Sequence, residues 1–128
     1  MLIATGAGVT KAAMEFTKAV NKYRNIKTEI DGITFDSKKE AGYYGDLKLR
    51  KRAGDIKDFK LQPKFLLQEA FTKNGKHYSA ITYIADFEIH HYDGSIEIVD
   101  CKGKKTQVYS LKKKLFEKRY PDLTIKEV

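Results

Sequence analysis

The sequence predicts an α/β fold in which a meander of three strands is flanked by helices. Three observations carry that expectation. Apolar residues alternate over Tyr78–His90 and again over Ser95–Lys102, with Asp93-Gly94 between the two runs; a period of two marks half-buried strands. Thr106 opens a stretch whose apolar residues recur at helical spacing as far as Pro121. A short strand-like tail, Leu123–Val128, follows it.

Taken in order, residues 10–24 read as an amphipathic helix. Thr10 can cap it, and Ala12, Phe16, Ala19 and Tyr23 share one face. Residues 29–36 read as a short extended or turning segment. A second helix is expected from Ser37 to Gly54, where a glycine after Arg52-Ala53 suits a left-handed cap. Gly42 and Gly45 inside it each cost about 1 kcal/mol relative to alanine, which suggests close packing or the close approach of a partner. Lys60–Gln68 is strand-like, and Pro63 points to an edge or a bulge. Asn74-Gly75 is a strong turn signal. The long strand Tyr78–His90 that follows places Ile81, Tyr83, Ala85, Phe87 and Ile89 on one face. In the last helix, Val108, Leu111, Leu115 and Phe116 form the expected apolar stripe, while Lys112, Lys113, Lys114, Lys118 and Arg119 supply positive charge.

A chain of 128 residues is expected to form one domain. A formal net charge of +8 favours a polyanionic partner, most simply nucleic acid. No apolar run approaches the roughly 18 residues that a membrane span requires, and Met1–Gly6 lacks the charged and apolar regions of a signal peptide. No membrane partner is therefore expected, and a cytoplasmic location is. The single cysteine, Cys101, rules out an internal disulfide and a cysteine-based zinc cluster. Alternation turns it away from Asp100 and Lys102 and makes it a small buried apolar residue.

The chemistry concentrates at Asp86 and Asp100-Cys101-Lys102. Two carboxylates beside one ammonium can hold a divalent ion and orient a water, the minimal equipment for metal-assisted phosphodiester hydrolysis. Sharing an ion requires Asp86 and Asp100 to lie opposite each other in the ladder. That register needs a three-residue loop, Tyr92-Asp93-Gly94, with Gly94 left-handed. A two-residue turn at Asp93-Gly94 would pair residue 86 with 101 and send Asp100 to the other face. Asp86 alternates with the apolar set and so also fits plain exposure to solvent. Asp100 follows Ile96, Ile98 and Val99, and a carboxylate in so apolar a strand needs either Lys102 or a cation as partner.

Glu40 is a third candidate acid, although Ser37-Lys38-Lys39-Glu40 also fits a capping box. His90 and His91 point to opposite faces of a strand and cannot serve one metal together. The run from Lys102 through Lys104 and Lys105 to Gln107 offers cations and helix-start N–H groups to phosphates. Lys112 and Lys113 extend that basic surface, and Tyr43, Tyr44 and Tyr109 could stack on bases or pack in the core.

Glu40 in a helix, Asp86 on a strand and Asp100-x-Lys102 on the next strand together resemble the PD-(D/E)XK nuclease superfamily, whose core follows the same α-β-β-β-α-β order. The chain is more similar still to a small phage-encoded endonuclease-like family. That resemblance is carried by Lys22–Asn25, Asp31–Ala41, Leu61–Phe65, Tyr83–Phe87, Val99–Gly103 and Lys112–Phe116. It implies a restriction-endonuclease-like core over residues 22–128, with residues 1–21 as an extension that dimerises the chain or covers an apolar patch. It implies Glu40, Asp86 and Asp100 around Mg²⁺, for which Mn²⁺ can substitute. Lys102 would position the attacking water or balance phosphorane charge, and Gln107 would be an accessory polar residue. The function so implied is a phage-type DNA endonuclease of the host cytoplasm acting on duplex or branched DNA. A Holliday junction resolvase would require a homodimer. The alternative is a non-catalytic DNA-binding accessory protein of phage replication, recombination or packaging.

Overall fold

A computed structural model describes residues 26–102 and 104–128. The expected helix over residues 10–24 and the extension 1–21 lie outside the described residues. The α/β class is met: among the described residues, two helices alternate with several small sheets. The chain divides into two compact units, residues 1–49 and 50–128.

In the first unit, residues 29–36 prove to be most of a hairpin. Strands β1 (Thr28–Ile30) and β2 (Ile33–Phe35) pair antiparallel around Asp31 (φ 55°) and Gly32 (φ 77°). Two successive left-handed residues make a type I′ turn, which Asp-Gly tolerates and most dipeptides do not. Helix α1 (Lys38–Arg52) follows. Ser37 caps it, its Oγ accepting the Glu40 N–H at 3.0 Å. Glu40, Ala41, Tyr44 and Leu47 are its buried positions, a single helical face. The Tyr44 hydroxyl donates to Asp31 Oδ2 at 2.9 Å, Lys48 pairs with the same carboxylate, and the Tyr44 ring lies 5.0 Å from that of Phe35. The hairpin and the helix are thereby fastened together.

Gly54 ends α1 as expected. It is left-handed (φ 78°), its N–H donates to Lys51 O at 3.1 Å, and the Asp55 N–H donates to Arg50 O at 2.8 Å. Those two bonds are the 5→2 and 6→1 pair of a Schellman motif. Among the described residues, a Cβ at Gly42 or Gly45 would meet no atom within 4 Å, so the expected close packing is not found there. Gly42→Ala and Gly45→Ala should therefore each stabilise the chain by about 1 kcal/mol. Urea unfolding measures the gain, and a loss of stability at either position would show that something does pack there.

The second unit is organised by one long ladder. Strand β3 (Asp58–Leu61) pairs with β8 (Phe87–His90), and β4 (Lys64–Gln68) with β7 (Ile81–Ile84). The register is continuous, since Asp58 faces His90, Leu61 faces Phe87, and Lys64 faces Ile84. After a bulge at Leu66/Gln68, Gln68 faces Ile81, and β5 (Phe71–Lys73) pairs with β6 (Lys76–Tyr78) out to a tip at Asn74 (φ 53°) and Gly75 (φ 76°). The Asn74-Gly75 signal thus closes a ribbon some thirty residues long.

The single strand expected over Tyr78–His90 is corrected. It breaks at Ser79-Ala80 and again at Ala85-Asp86, and opposite the second break its partner breaks at Gln62-Pro63, where Gln62 turns left-handed (φ 51°). Gln62 N–H donates to Asp86 O at 2.9 Å and Ala85 N–H to Pro63 O at 3.1 Å, so the two breaks coincide. The break also reverses which residues face the last helix. Tyr83 and Ala85 share a core cluster with Ile98, Tyr109, Phe116 and Ile125. Phe87 pairs with Val99, the neighbour of Ile98 along the strand, and so faces the opposite side of the sheet. Alternation survives on both sides of the break but does not describe one face.

Strand β9 (Ile96–Asp100) pairs antiparallel with β8, helix α2 (Gln107–Arg119) crosses over, and β10 (Ile125–Glu127) returns parallel to β9. The four-stranded sheet has the order β10-β9-β8-β3. Thr106 caps α2, accepting the Tyr109 N–H at 3.1 Å. The expected stripe on α2 is corrected in part. Phe116 is fully buried and Leu115 partly so, but Val108 (63% exposed) and Leu111 (57%) face outward, and Tyr109 takes the inner position. Phe116 packs edge-on against Phe65 at 5.0 Å and against Tyr83 at 5.8 Å. No helix among the described residues is long and apolar enough to cross a membrane.

Candidate functional site

The loop between β8 and β9 decides the register that an Asp86–Asp100 site requires. His91 N–H donates to Ser95 O at 3.0 Å and Gly94 N–H to His91 O at 3.1 Å, with Gly94 left-handed (φ 90°). This is the three-residue hairpin. Ile96 faces His90 and Val99 faces Phe87, the last pair of the ladder, a register that would set residue 100 opposite residue 86 if it ran one residue further. Asp86 lies at the strand break: its N–H goes to Val99 O at 3.1 Å, and its Oδ2 accepts the Cys101 N–H at 2.7 Å. The carboxylate stands where a regular ladder would offer a carbonyl. Cys101 is half-buried rather than buried.

Asp100 is 2% exposed at the end of β9. Lys102 Nζ sits 3.1 Å from its Oδ1, and the Tyr83 hydroxyl donates to Oδ2. The Lys102 ammonium also lies 4.2 Å from the centre of the Tyr109 ring, a cation–π contact. Burial pushes the Tyr83 phenol far above its ordinary value, and the hydrogen bond to Asp100 and the charges of Asp100 and Asp86 push it further. One hydroxyl thus feels both carboxylates and remains a donor at any working pH. In the sequence Tyr83 shows only as a member of the apolar alternation. The signal available was that a buried tyrosine needs an acceptor for its hydroxyl.

Beside this cluster lies an open groove of about 290 Å³, walled by Thr82, Tyr83 and Ile84 of β7, by Lys102, and by Thr106, Val108, Tyr109 and Lys112 at the start of α2. Its rim pairs apolar with cationic groups: Ile84 is 54% exposed, and Lys102 and Lys112 stand beside it. Gln107 is the first residue of α2 and is exposed.

The lysines taken together in the sequence separate in space. Lys112 borders this groove, whereas Lys105 and Lys113 line a second depression of about 340 Å³ with Glu127. Lys104 is exposed. Glu127 Oε1 lies 2.9 Å from Lys105 Nζ, its Oε2 lies 3.3 Å from Lys113 Nζ, and the Tyr109 hydroxyl donates to Oε2 at 2.7 Å. The Tyr109 hydrogen bond, then the two lysines, lower the Glu127 carboxyl from 4.5 to about 2. A carboxyl depressed on folding contributes stability above its unfolded value and loses it as pH falls through the folded one. Glu127→Gln should therefore be less stable than the unchanged chain at pH 6, with the gap closing between about pH 4.5 and 2. Urea midpoints across that range test this, and a gap that persists at pH 2 would refute it.

Asp86 and Asp100 are each hard oxygen donors of the kind that suits Mg²⁺, which takes one or two protein carboxylates and completes its shell with water and phosphate. Among the described residues, no three histidine, cysteine, aspartate or glutamate side chains gather as a ready-made ion site. Glu40 belongs to the first unit, buried in the capped first turn of α1. His90 pairs with Glu88 at 2.6 Å and His91 with Glu97 at 3.0 Å, each histidine with its own acid.

No curated protein and no solved structure matches this chain. A family model described as "Protein of unknown function (DUF1064)" matches residues 20–128. That span takes in both helices, the long ribbon and the Asp86–Asp100–Lys102 cluster, and the chain belongs to the DUF1064 family.

Proposed function

We propose that this chain is a Mg²⁺-dependent DNA endonuclease of phage type, built on a PD-(D/E)XK core. The observation that carries the reading is Asp100, buried just beyond the last ladder pair, with Lys102 at its carboxylate and on the wall of an open groove. The order of helix, three-strand meander, helix and parallel strand supports it, as does the formal charge of +8. When bound, the divalent ion supplies Lewis-acid charge at the phosphate and lowers the pKa of a water. Asp86 and Asp100 would hold that ion. Lys102, held between Asp100 and the Tyr109 ring, presents a fixed ammonium to charge developing on the phosphate. Lys112 stands at the same groove for a neighbouring phosphate, and Gln107 opens the helix beside it.

A second reading has its own observation. Asp100 already has Lys102 and Tyr83 as partners, as a structural ion pair in a non-catalytic DNA-binding protein would. Incubation with labelled four-way junction, flap, duplex and single strand, with Mg²⁺, Mn²⁺ or EDTA, separates the two. Cleavage that requires metal supports the nuclease, and paired symmetric cuts confined to the junction make it a dimeric resolvase. Binding without cutting on every substrate sinks the nuclease and leaves the accessory protein.

A further inference from the structure

The outer ribbon, residues 68–80, is exposed at every position and carries features that the proposed chemistry does not use. Its two faces differ. Cross-strand pairing puts Phe71 opposite Tyr78 and Lys73 opposite Lys76, all on one face, while Thr72 and His77 occupy the other. The rings of Phe71 and Tyr78 stack 4.8 Å apart with 13° between their planes, and they remain 43% and 39% exposed. Lys76 Nζ lies 5.2 Å from the Tyr78 ring centre. Glu69, the acid on this stretch, is drawn to Arg119 at 3.9 Å. Like charges directly opposite each other weaken a ladder, so two facing lysines beside a tight turn oppose the ribbon's own stability. A polyanion lying across them would remove that penalty.

The position of the ribbon adds to the argument. Strand β7 follows β6 after only Ser79 and Ala80, and its Thr82 and Ile84 wall the groove at Lys102. From Lys76 to Thr82 the path is roughly 20 Å at about 3.4 Å per residue. A solvent-exposed aromatic pair flanked by lysines is the equipment for holding unpaired nucleotides: cations take phosphates, and ring faces take any base.

We propose that this ribbon is a binding site for single-stranded DNA. Lys73 and Lys76 contact two phosphates, and the Phe71–Tyr78 pair stacks an unpaired base. The contact itself is independent of cleavage. Only its role in guiding a strand toward the groove rests on the nuclease reading.

The test is fluorescence anisotropy in EDTA with two probes, a labelled oligothymidylate of about 16 nucleotides or more and an abasic strand of equal length. Lys73→Ala/Lys76→Ala should weaken binding of both by about tenfold at physiological salt and flatten the salt slope by about 1.4, the value for two single-strand phosphate contacts. Its unfolding midpoint should stay level or rise, since the facing charges are gone. Phe71→Leu/Tyr78→Leu, which keeps an apolar cross-strand pair, should weaken oligothymidylate binding about fivefold or more and leave abasic binding unchanged. Variants that bind like the unchanged chain would overturn the proposal. So would an unchanged chain that binds neither probe, or a leucine pair that weakens both probes equally. A chain that binds through the ribbon and never cuts sinks the nuclease alone. One that cuts, with ribbon variants binding normally, sinks the ribbon alone.

Discussion

Asp100→Asn should lower the cleavage rate by at least about a thousandfold while leaving DNA affinity unchanged or tighter. The metal's share of transition-state stabilisation in such reactions is several kcal/mol, and each 1.36 kcal/mol is a factor of ten. Asparagine keeps the shape and an acceptor for the Tyr83 hydroxyl but withdraws the charge that would hold the ion. The fold should survive, because Lys102 keeps the Tyr109 ring 4.2 Å away and is 26% exposed, so its ammonium is not stranded. Binding should not suffer, since on the nuclease reading one negative charge leaves the surface that would face phosphates. Single-turnover cleavage, anisotropy and a thermal melt together decide it. A variant that cuts as fast as the unchanged chain would remove Asp100 from the chemistry.

Phe116→Ala should cost about 3–5 kcal/mol of unfolding free energy, the range for truncating a buried aromatic. Phe116 has no exposed surface and meets Phe65, Tyr83 and Tyr120 at ring distances of 5.0, 5.8 and 5.2 Å. A methyl group there leaves a void beneath Tyr83, the residue that holds Asp100. Urea unfolding reads the loss, and a change below about 1 kcal/mol would mean that α2 can settle into the gap. Val108→Ala and Leu111→Ala on the same helix are the controls, since both residues are exposed.

Those three helical positions show where the sequence was informative and where it was not. Local signals suffice where backbone chemistry alone decides: Gly54 closes α1, Asn74-Gly75 turns the ribbon, Asp93-Gly94 turns β8 into β9, and Thr106 caps α2. On α2 the apolar residues 108, 111 and 115 compete with the face Tyr109–Phe116, and packing against Phe65 and Tyr83 chose the latter. Tyrosines could take either role, and only the neighbouring strand assigned it. The break at Ala85-Asp86 left no trace in the alternation, because buried and exposed positions continue in step while the faces exchange partners. The Asp100–Lys102 pairing is legible from their i, i+2 spacing, although β9 itself ends at Asp100. The division of the lysines is not, because Lys112 and Lys113 stand about 100° apart on a helix and meet different surroundings.

The long ribbon also sets an order of assembly. Its contacts close from the two-residue turn at Asn74-Gly75, each pair bringing the next within reach, so the entropy of loop closure stays small at every step. Hairpins of this sort form in microseconds. The parallel pairing of β10 with β9 is different, for all of α2 must be enclosed before Ile125 meets Ile98. Topology therefore favours a nucleus in the ribbon and places the closing of the sheet around Asp100 late. Interactions made that late govern how fast a protein comes apart more than how fast it forms. Weakening the Asp100–Lys102–Tyr109 cluster should steepen escape from the native state, visible in the unfolding arm of a chevron, and leave the refolding arm where it is.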